Sequence, residues 1–318
     1  MYSFKRYNQN PILTAEDVPG QAAYFILNPG AVKFNGEYLL IVDVFHAEGG
    51  IVFWIARSED GIHFTFDPEP LKMPPCADGW IEHGVYDPRI TRIEDTYYLV
   101  YNSHNNKYGT RIAIAATEDF KEFRHVSLMT QVNNRNGALF PEKINGLYCC
   151  LNRPFAGDEK SSCGMQLSFS PDLVFWGKSR FSIAGRSCHW DDLKVGAGAP
   201  PILTEEGWLV IYHGVANSCC GSIYSLHAAI LDKEKPWQVL ARTKHPIFFP
   251  QAPYEKWGRV TNTVFTCNAL QEGNNIRIYY GAADAVIGVA EMPLDDILAA
   301  CHEKYHYFNF SEGNLEGE

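Results

Sequence analysis

The stretch NGEYLLIVDVF (35–45), followed by FWIARSEDGIHF (53–64), decides how the chain folds. A turn pair leads into an aromatic and aliphatic strand, a loop gives way to a second strand, and an acidic turn closes on an aromatic residue. The same succession returns as EDTYYLVYNS (94–103) with RIAIAATEDFKEF (111–123), and as NGLYCCLNRP (145–154) with MQLSFSPDLVFW (165–176). A fourth copy is EGWLVIYHGV (206–215) with YSLHAAILDKEKPW (224–237). The fifth, NNIRIYYGAAD (274–284) with IGVAEMP (287–293), runs into the short helical candidate LDDILAACHEKY (294–305).

The copies recur at intervals of roughly 50 to 65 residues, the range of propeller blades carrying long loops. Strand and turn signals dominate, and helical periodicity is nearly absent before the C-terminus. The sequence therefore predicts an all-β fold, a five-bladed β-propeller forming one domain over residues 1–318 and ending in a short helix. Loops at the innermost strands of such a ring converge on its axis. Residues distant in sequence meet there.

Composition narrows the function. Apolar content of 46% and charged content of 20% describe a globular chain rather than a disordered one. A formal net charge of −10 argues against nucleic acid or anionic membranes as partners, so any local cluster of cations has a purpose. The opening segment MYSFKRYNQNPILTAEDVPG has no apolar run behind its positive residues, and no stretch approaches the length of a spanning helix. A cytoplasmic location is expected. The nine cysteines form no CxxC pair, and the adjacent pairs Cys149–Cys150 and Cys219–Cys220 lie on strand-like segments whose successive side chains point apart. Buried, reduced thiols are expected, with no metal site.

Within GVYDPRITRIEDTYYLVY (84–101), Asp87 stands just ahead of a strand. A turn cap is the plain reading of an Asp in this position. Pro88, however, biases its predecessor to an extended conformation and holds the carboxylate still, as a general acid requires. Arg89 follows and is expected to be its charge partner. Arg135 in VNNRNGALFPEKING (132–146), Arg153 in LNRPF (151–155), Lys194 in KVGAGAPPI (194–202), His213 and Tyr224 all fall near strand entrances. Each alone is ordinary. Together on one axis, like charges repel unless an anion joins them. KVGAGAPPI lacks the order of a nucleotide-binding loop, and its glycines fit close passage of backbone beside strands or substrate.

Glycoside hydrolysis uses two carboxylates, one as acid and one as base or nucleophile. Here one axial acid faces a group of cations suited to phosphate, which arrives charged and needs no base. One acid with an anion pocket describes a glycoside phosphorylase. Two other readings stay open: an inverting glycoside hydrolase using water, with Glu142 or Asp191 as candidate base, and a non-catalytic sugar-binding propeller.

The segments YDPRI, NRNGALFPEKING, NRP, SPDLVFWG, KVGAGAPPI, GWLVIYHGV, YSLHAAILD and IYYGAAD resemble, in order and spacing, the motifs of glycoside hydrolase family 130. The resemblance spans nearly the whole chain and implies a five-bladed propeller acting on β-mannosides. It implies that Asp87 is the catalytic acid, protonating the glycosidic oxygen through the 3-hydroxyl of the mannosyl unit. It implies that Arg135, Arg153, Lys194, His213 and Tyr224 hold phosphate, and that Asn28, Asn136 and Asp284 contact the mannosyl ring. Inorganic phosphate is then a co-substrate, no other cofactor is implied, and the product is α-mannose 1-phosphate. NRNGALFPEKING and YSLHAAILDKEKPW look most like the branch acting on β-1,4-mannosides, and a homo-oligomer is compatible with the family.

The first blade departs from the family pattern. Where a basic residue is expected, IVDVFHAEGGIVFWIARSEDG (41–61) carries Asp43 and His46. Arg57, on the following strand, is the candidate substitute for a substrate contact. This leaves the acceptor sugar open.

Overall fold

The computed structural model describes residues 2–303 apart from 22, 47, 77–78, 156–163 and 220. The first blade is built from strands Ala23–Phe34, Glu37–His46, Ile51–Ser58 and Thr65–Phe66, and the second from Gly84–Ile93, Thr96–Asn105, Gly109–Thr117 and Arg124–Leu128. The third contains Asn134–Leu139, Tyr148–Pro154, Gln166–Ser170 and Gly177–Phe181. The fourth contains Lys194–Ala197, Trp208–Ser218, Gly221–Leu231 and Val239–Arg242, with Ile202–Leu203 also paired to Trp208–Ser218. Val264–Glu272, Asn275–Ala282 and Val286–Pro293 form the fifth, and Lys5–Arg6 completes it from the start of the chain, pairing antiparallel with Val286–Pro293. Helix Leu294–His302 follows. The five repeats read in the sequence are the two middle strands of each blade.

Why those middle strands are so apolar follows from the period of two. Successive side chains face opposite ways, and each face meets a different neighbouring blade. Leu39 and Ile41 pack with Leu99 and Ala113 of the second blade, whereas Leu40 and Val42 pack with Tyr279 and Val289 of the fifth. Val100 turns to Leu139 and Cys150 of the third blade, and Val210 and Tyr212 turn to the same blade from the other side. Leu209 and Ile211 face Ile276 and Ile278 of the fifth. The core is thus divided into five clusters, one at each blade junction, and the junction between fifth and first closes the ring. Each buried aliphatic side chain contributes about 1.5–3 kcal/mol.

The acidic turns recur as one device. Asp60, Asp119, Asp172 and Asp232 each accept backbone N–H groups from the residues two and three positions on. These bonds hold Asp119 and Asp172 below the usual carboxylate range. In the fifth blade the third strand passes into the helix instead, because its outer strand comes from the N-terminal segment.

The cysteines follow the expectation only in part. Cys149 and Cys150 are buried, and they point into different junctions. Cys188 and Cys219 are exposed, the latter because it sits in a turn projecting beyond Trp208–Ser218 rather than on a strand. Cys220 lies outside the described residues. Among the described residues no helix is long and apolar enough to cross a membrane.

Candidate active site

Three innermost strands break their register around a short polar residue. The shifts fall between Leu27 and Gly30, between Tyr86 and Arg89, and between Arg135 and Ala138. The residues within the bulges are Asn28, Asp87 and Asn136, with φ of 44°, 56° and 56°. Asp87 is therefore neither extended nor ahead of a strand, as Pro88 had suggested. It lies inside Gly84–Ile93 in a left-handed bend, because the extra residue of a bulge must turn the chain. Asn and Asp tolerate this conformation better than other side chains, yet it still costs on the order of 1–3 kcal/mol. Neighbours on three blades hold it.

The three bulges aim their side chains at one another. Asn28 Nδ2 donates to Asp87 Oδ1 at 2.8 Å, and Asn102 Nδ2 donates to Asp87 Oδ2 at 2.9 Å. Asn136 Nδ2 makes a longer contact with Oδ2 at 3.4 Å, and the Asn136 N–H donates to Asn102 Oδ1 at 3.2 Å. Both lone pairs of Oδ2 are thereby engaged, and Oδ1 keeps one for a transferable proton. The Asp87 N–H donates to Asp43 Oδ2 at 2.9 Å. Burial, and the nearby charge of Asp87, push the Asp43 carboxyl well above its ordinary range, favouring its neutral form beneath the site.

Arg89 does not pair with the Asp87 carboxylate. Fully buried, it donates Nη1 to the Asp87 carbonyl at 3.0 Å, Nε to Gly198 O at 2.7 Å and Nη2 to Ala197 O at 2.8 Å. It ties the second blade to the inner edge of the fourth across the axis. The expected charge partner is a backbone clamp.

The cations lie beside this acid. Arg153 Nε donates to Asn136 Oδ1 at 2.9 Å, so Asn136 links the acid to the cation group. The guanidinium carbons of Arg135 and Arg153 stand 5.0 and 4.6 Å from the centre of the Phe155 ring. Lys194 Nζ is 5.6 Å from the Tyr224 ring centre, Tyr224 lies 6.1 Å from His213, and His213 lies 4.7 Å from Phe265. A Cβ on Gly196 would fall 2.5 Å from the His213 ring, which explains one glycine of KVGAGAPPI. Burial lowers the Arg153 pKa to about 10, with Arg135 acting in the same direction. Burial and then the charge of Arg153 hold His213 well below its usual value, so its ring is neutral.

On the far side stands Asp284, in the turn after Asn275–Ala282. Burial and the charge of Asp87 push it up to about 6, while Arg259, at 3.5 Å, acts the other way. A cleft of about 380 Å³ joins Asp87, Asn28 and Asn136 with Arg135, Arg153, His213, Tyr224 and Asp284. Lys194 borders it through Tyr224.

Arg57 is not brought there. Ile51 reaches the cleft, but Arg57 lies six residues further along the same strand, about 20 Å away at ~3.3 Å per residue. It pairs with Asp67 in a separate groove beside Phe34 and Leu71. Glu142 is exposed in the turn beyond Asn134–Leu139, at the end of that strand opposite Arg135. Asp191 is wholly buried and held by Arg186, Arg242 and the Tyr212 hydroxyl. Neither carboxylate can activate water at the cleft.

The sequence profile described as beta-1,4-mannooligosaccharide phosphorylase matches residues 5–303. The chain belongs to glycoside hydrolase family 130. It is 36% identical over 305 residues to the beta-1,4-mannooligosaccharide phosphorylase of Ruminococcus albus, covering 92% of this chain and 89% of that one. It is 34% identical over 310 residues to the 1,2-beta-oligomannan phosphorylase of a Thermoanaerobacter species, with 93% and 99% covered. The solved beta-1,2-mannobiose phosphorylase from Listeria innocua superposes with a TM-score of 0.84 at 31% identity, over 94% of this chain and 99% of that one.

Four residues of this family 130 site escaped the sequence reading. Asp43 had been noted only as a missing cation, and Asn102, Phe155 and Arg259 had not been singled out. The alternation of faces points to two of them. In YLLIVDV the set Leu39, Ile41, Asp43 faces the second blade and therefore Asp87, and in LVYN the set Val100, Asn102 faces the third blade and therefore Asn136.

Proposed function

We propose that the protein is an inverting phosphorylase of β-mannosides, with β-1,4-linked mannosyl-glucose, mannosyl-mannose or mannosyl-N-acetylglucosamine as substrate and α-mannose 1-phosphate as product. One observation carries this reading. Arg135, Arg153 and Lys194 gather with a neutral His213 at one side of the cleft, beside an acid fixed by asparagine amides.

The mannosyl unit occupies the space between Asp87 and Asp284. Phosphate, held by the guanidinium forks, attacks the anomeric carbon on the face opposite the leaving group. The bond from that carbon to the glycosidic oxygen breaks, and the oxygen takes its proton from Asp87 through the 3-hydroxyl. The Asp87 carboxylate left behind is stabilised by the amides of Asn28 and Asn102. Phosphate carries its own negative charge into the site, so no general base is needed. The reading calls for no metal or organic cofactor. The β-1,4 preference draws its support from the family description and from the Ruminococcus albus relative.

The test is incubation with β-1,4-mannobiose, mannosyl-glucose and mannosyl-N-acetylglucosamine, with and without phosphate. Mannose 1-phosphate is expected only when phosphate is present. Free mannose appearing at the same rate without phosphate would overturn the proposal in favour of hydrolysis.

A further inference from the structure

The first blade lacks the basic residue expected at the sugar side of the cleft, and the structure places a cation there from elsewhere. Arg259 comes from the segment between helix Pro253–Lys256 and strand Val264–Glu272, which approaches the axis from the fifth blade. The segment is firmly seated. The Val260 N–H donates to Ala283 O at 2.9 Å, and the Thr263 N–H donates to Glu255 O at 3.0 Å. A Cβ on Gly258 would lie 2.5 Å from the Ala283 carbonyl and 2.9 Å from the Ala285 Cβ, so only glycine lets the chain press so closely on this turn.

From this seat the guanidinium carbon stands 5.1 Å from the centre of the Phe45 ring, at the end of the very strand that carries Asp43 and His46. Nη1 lies 3.5 Å from Asp284 Oδ2, a loose ion pair rather than a closed fork. Among the described residues no hydrogen bond occupies the guanidinium, and its side chain remains 37% exposed while lining the cleft with Asn28, Asp87 and Asp284. It therefore keeps directed donors for a ligand. Asp284, only 16% exposed, offers acceptors beside them. A donor fork next to a carboxylate matches two adjacent hydroxyls of a sugar ring, one accepting from Arg259 and the other donating to Asp284.

We infer that Arg259 is a specificity-determining residue of the sugar subsite, gripping a vicinal diol of the mannoside together with Asp284 and standing in for the cation the first blade lacks. The inference rests on the reading of the cleft as a mannoside site. It separates Arg259 from Arg135 and Arg153: the latter serve an anion, whereas Arg259, half committed to Asp284, serves neutral hydroxyls.

The experiment measures binding of β-mannobioses and of inorganic phosphate separately by calorimetry, for the wild-type protein and for Arg259→Gln, Arg259→Lys and Phe45→Ala, with thermal melts alongside. Arg259→Gln is expected to weaken mannobiose binding by about tenfold or more, the worth of hydrogen bonds to a charged group, and to leave phosphate affinity within about twofold. Arg259→Lys keeps the charge without the fork and should recover only part of the loss. Phe45→Ala removes the platform and should weaken mannobiose alone. Equal losses for both ligands would assign Arg259 a structural role and overturn the inference, as would unchanged mannobiose affinity. A wild-type protein that binds phosphate but no β-mannoside would overturn the reading of the cleft itself, and the inference with it.

Discussion

The backbone N–H of Asp87 donates to the carboxyl of Asp43 across 2.9 Å, joining the bulge of one blade to the middle strand of the next. This bond secures an aspartate in a left-handed conformation at the point where its side chain must not move. Because Asp43 is wholly buried, where the neutral form is favoured, an amide should be able to replace it. Asp43→Asn should keep the acceptor and change stability by less than about 1 kcal/mol, with kcat nearly intact. Asp43→Ala leaves the N–H buried without an acceptor and should cost about 1–3 kcal/mol together with a fall in kcat. Urea melts and initial rates on both variants check this. A loss in Asp43→Asn as severe as in Asp43→Ala would show that the negative charge matters.

Asp87→Asn preserves the shape of the side chain and removes the transferable proton. Its kcat should fall on the order of 10² to 10⁴, while KM for phosphate stays near the wild-type value, since the proposed phosphate pocket is built by other residues. Turnover close to wild type would remove Asp87 from the role of acid.

How much of this was legible in the sequence depends on what each residue does locally. The blades were legible because their middle strands are apolar on both faces and end in Asx turns, two signals carried within a dozen residues. Asp87, Arg135, Arg153 and His213 were legible because they interrupt such strands or sit at their ends. The left-handed bend at Asp87 was not: Pro88 alone argues for an extended predecessor, and only the pairing partner Thr96–Asn105 shows that an extra residue is lodged in the strand. Arg57 was misplaced for a related reason. Its strand does reach the cleft, but with the opposite end, and the direction of a strand relative to the axis is set by the ring rather than by its own residues. Arg259 had no local signal at all, since its neighbours Trp257 and Gly258 read as an ordinary loop.

Arg153 tests the proposed phosphate pocket. Its guanidinium bonds Asn136 through Nε and lies against Phe155, and an ammonium, a point charge without the planar fork, cannot make both contacts in this geometry. Arg153→Lys should raise KM for phosphate about tenfold or more, with a smaller effect on KM for the mannoside. Phe155→Ala, which removes the shared platform of Arg135 and Arg153, should raise the same constant by a few-fold. Steady-state kinetics with each substrate varied in turn decide the matter; a rise confined to the mannoside constant would contradict the assignment.

Asp284 makes the stability of the protein depend on pH in a stated direction. Its folded pKa of about 6 lies above the ordinary 3.8, so between those values the native state holds a proton that the unfolded chain has released. Its contribution is therefore most favourable below pH 3.8 and is lost as pH rises through 6. Asp284→Asn cannot ionise and should melt higher than wild type at pH 8, with the difference shrinking toward pH 4. Thermal melts at the two pH values suffice. The same difference at both would mean that Asp284 is not desolvated in the folded protein.

Asp191 separates structure from catalysis at a buried carboxylate outside the cleft. Burial pushes its pKa upward, but the paired bonds from Arg186 and the charge of Arg242 prevail and hold it below the usual range. The carboxylate thus joins the segment ahead of Lys194 to the outer strand Val239–Arg242, and its charge answers two partly buried guanidiniums. Asp191→Asn leaves those cations without their counter-charge and should destabilise the protein by about 3–5 kcal/mol at neutral pH. Because the folded pKa is depressed, that penalty should disappear only as pH falls below the ordinary carboxylate range. The surviving folded fraction should still require phosphate for product formation, with KM for the mannoside unchanged. A catalytic base would behave in the opposite way, losing turnover while its melting temperature held, and the two outcomes are told apart by rates normalised to the folded fraction.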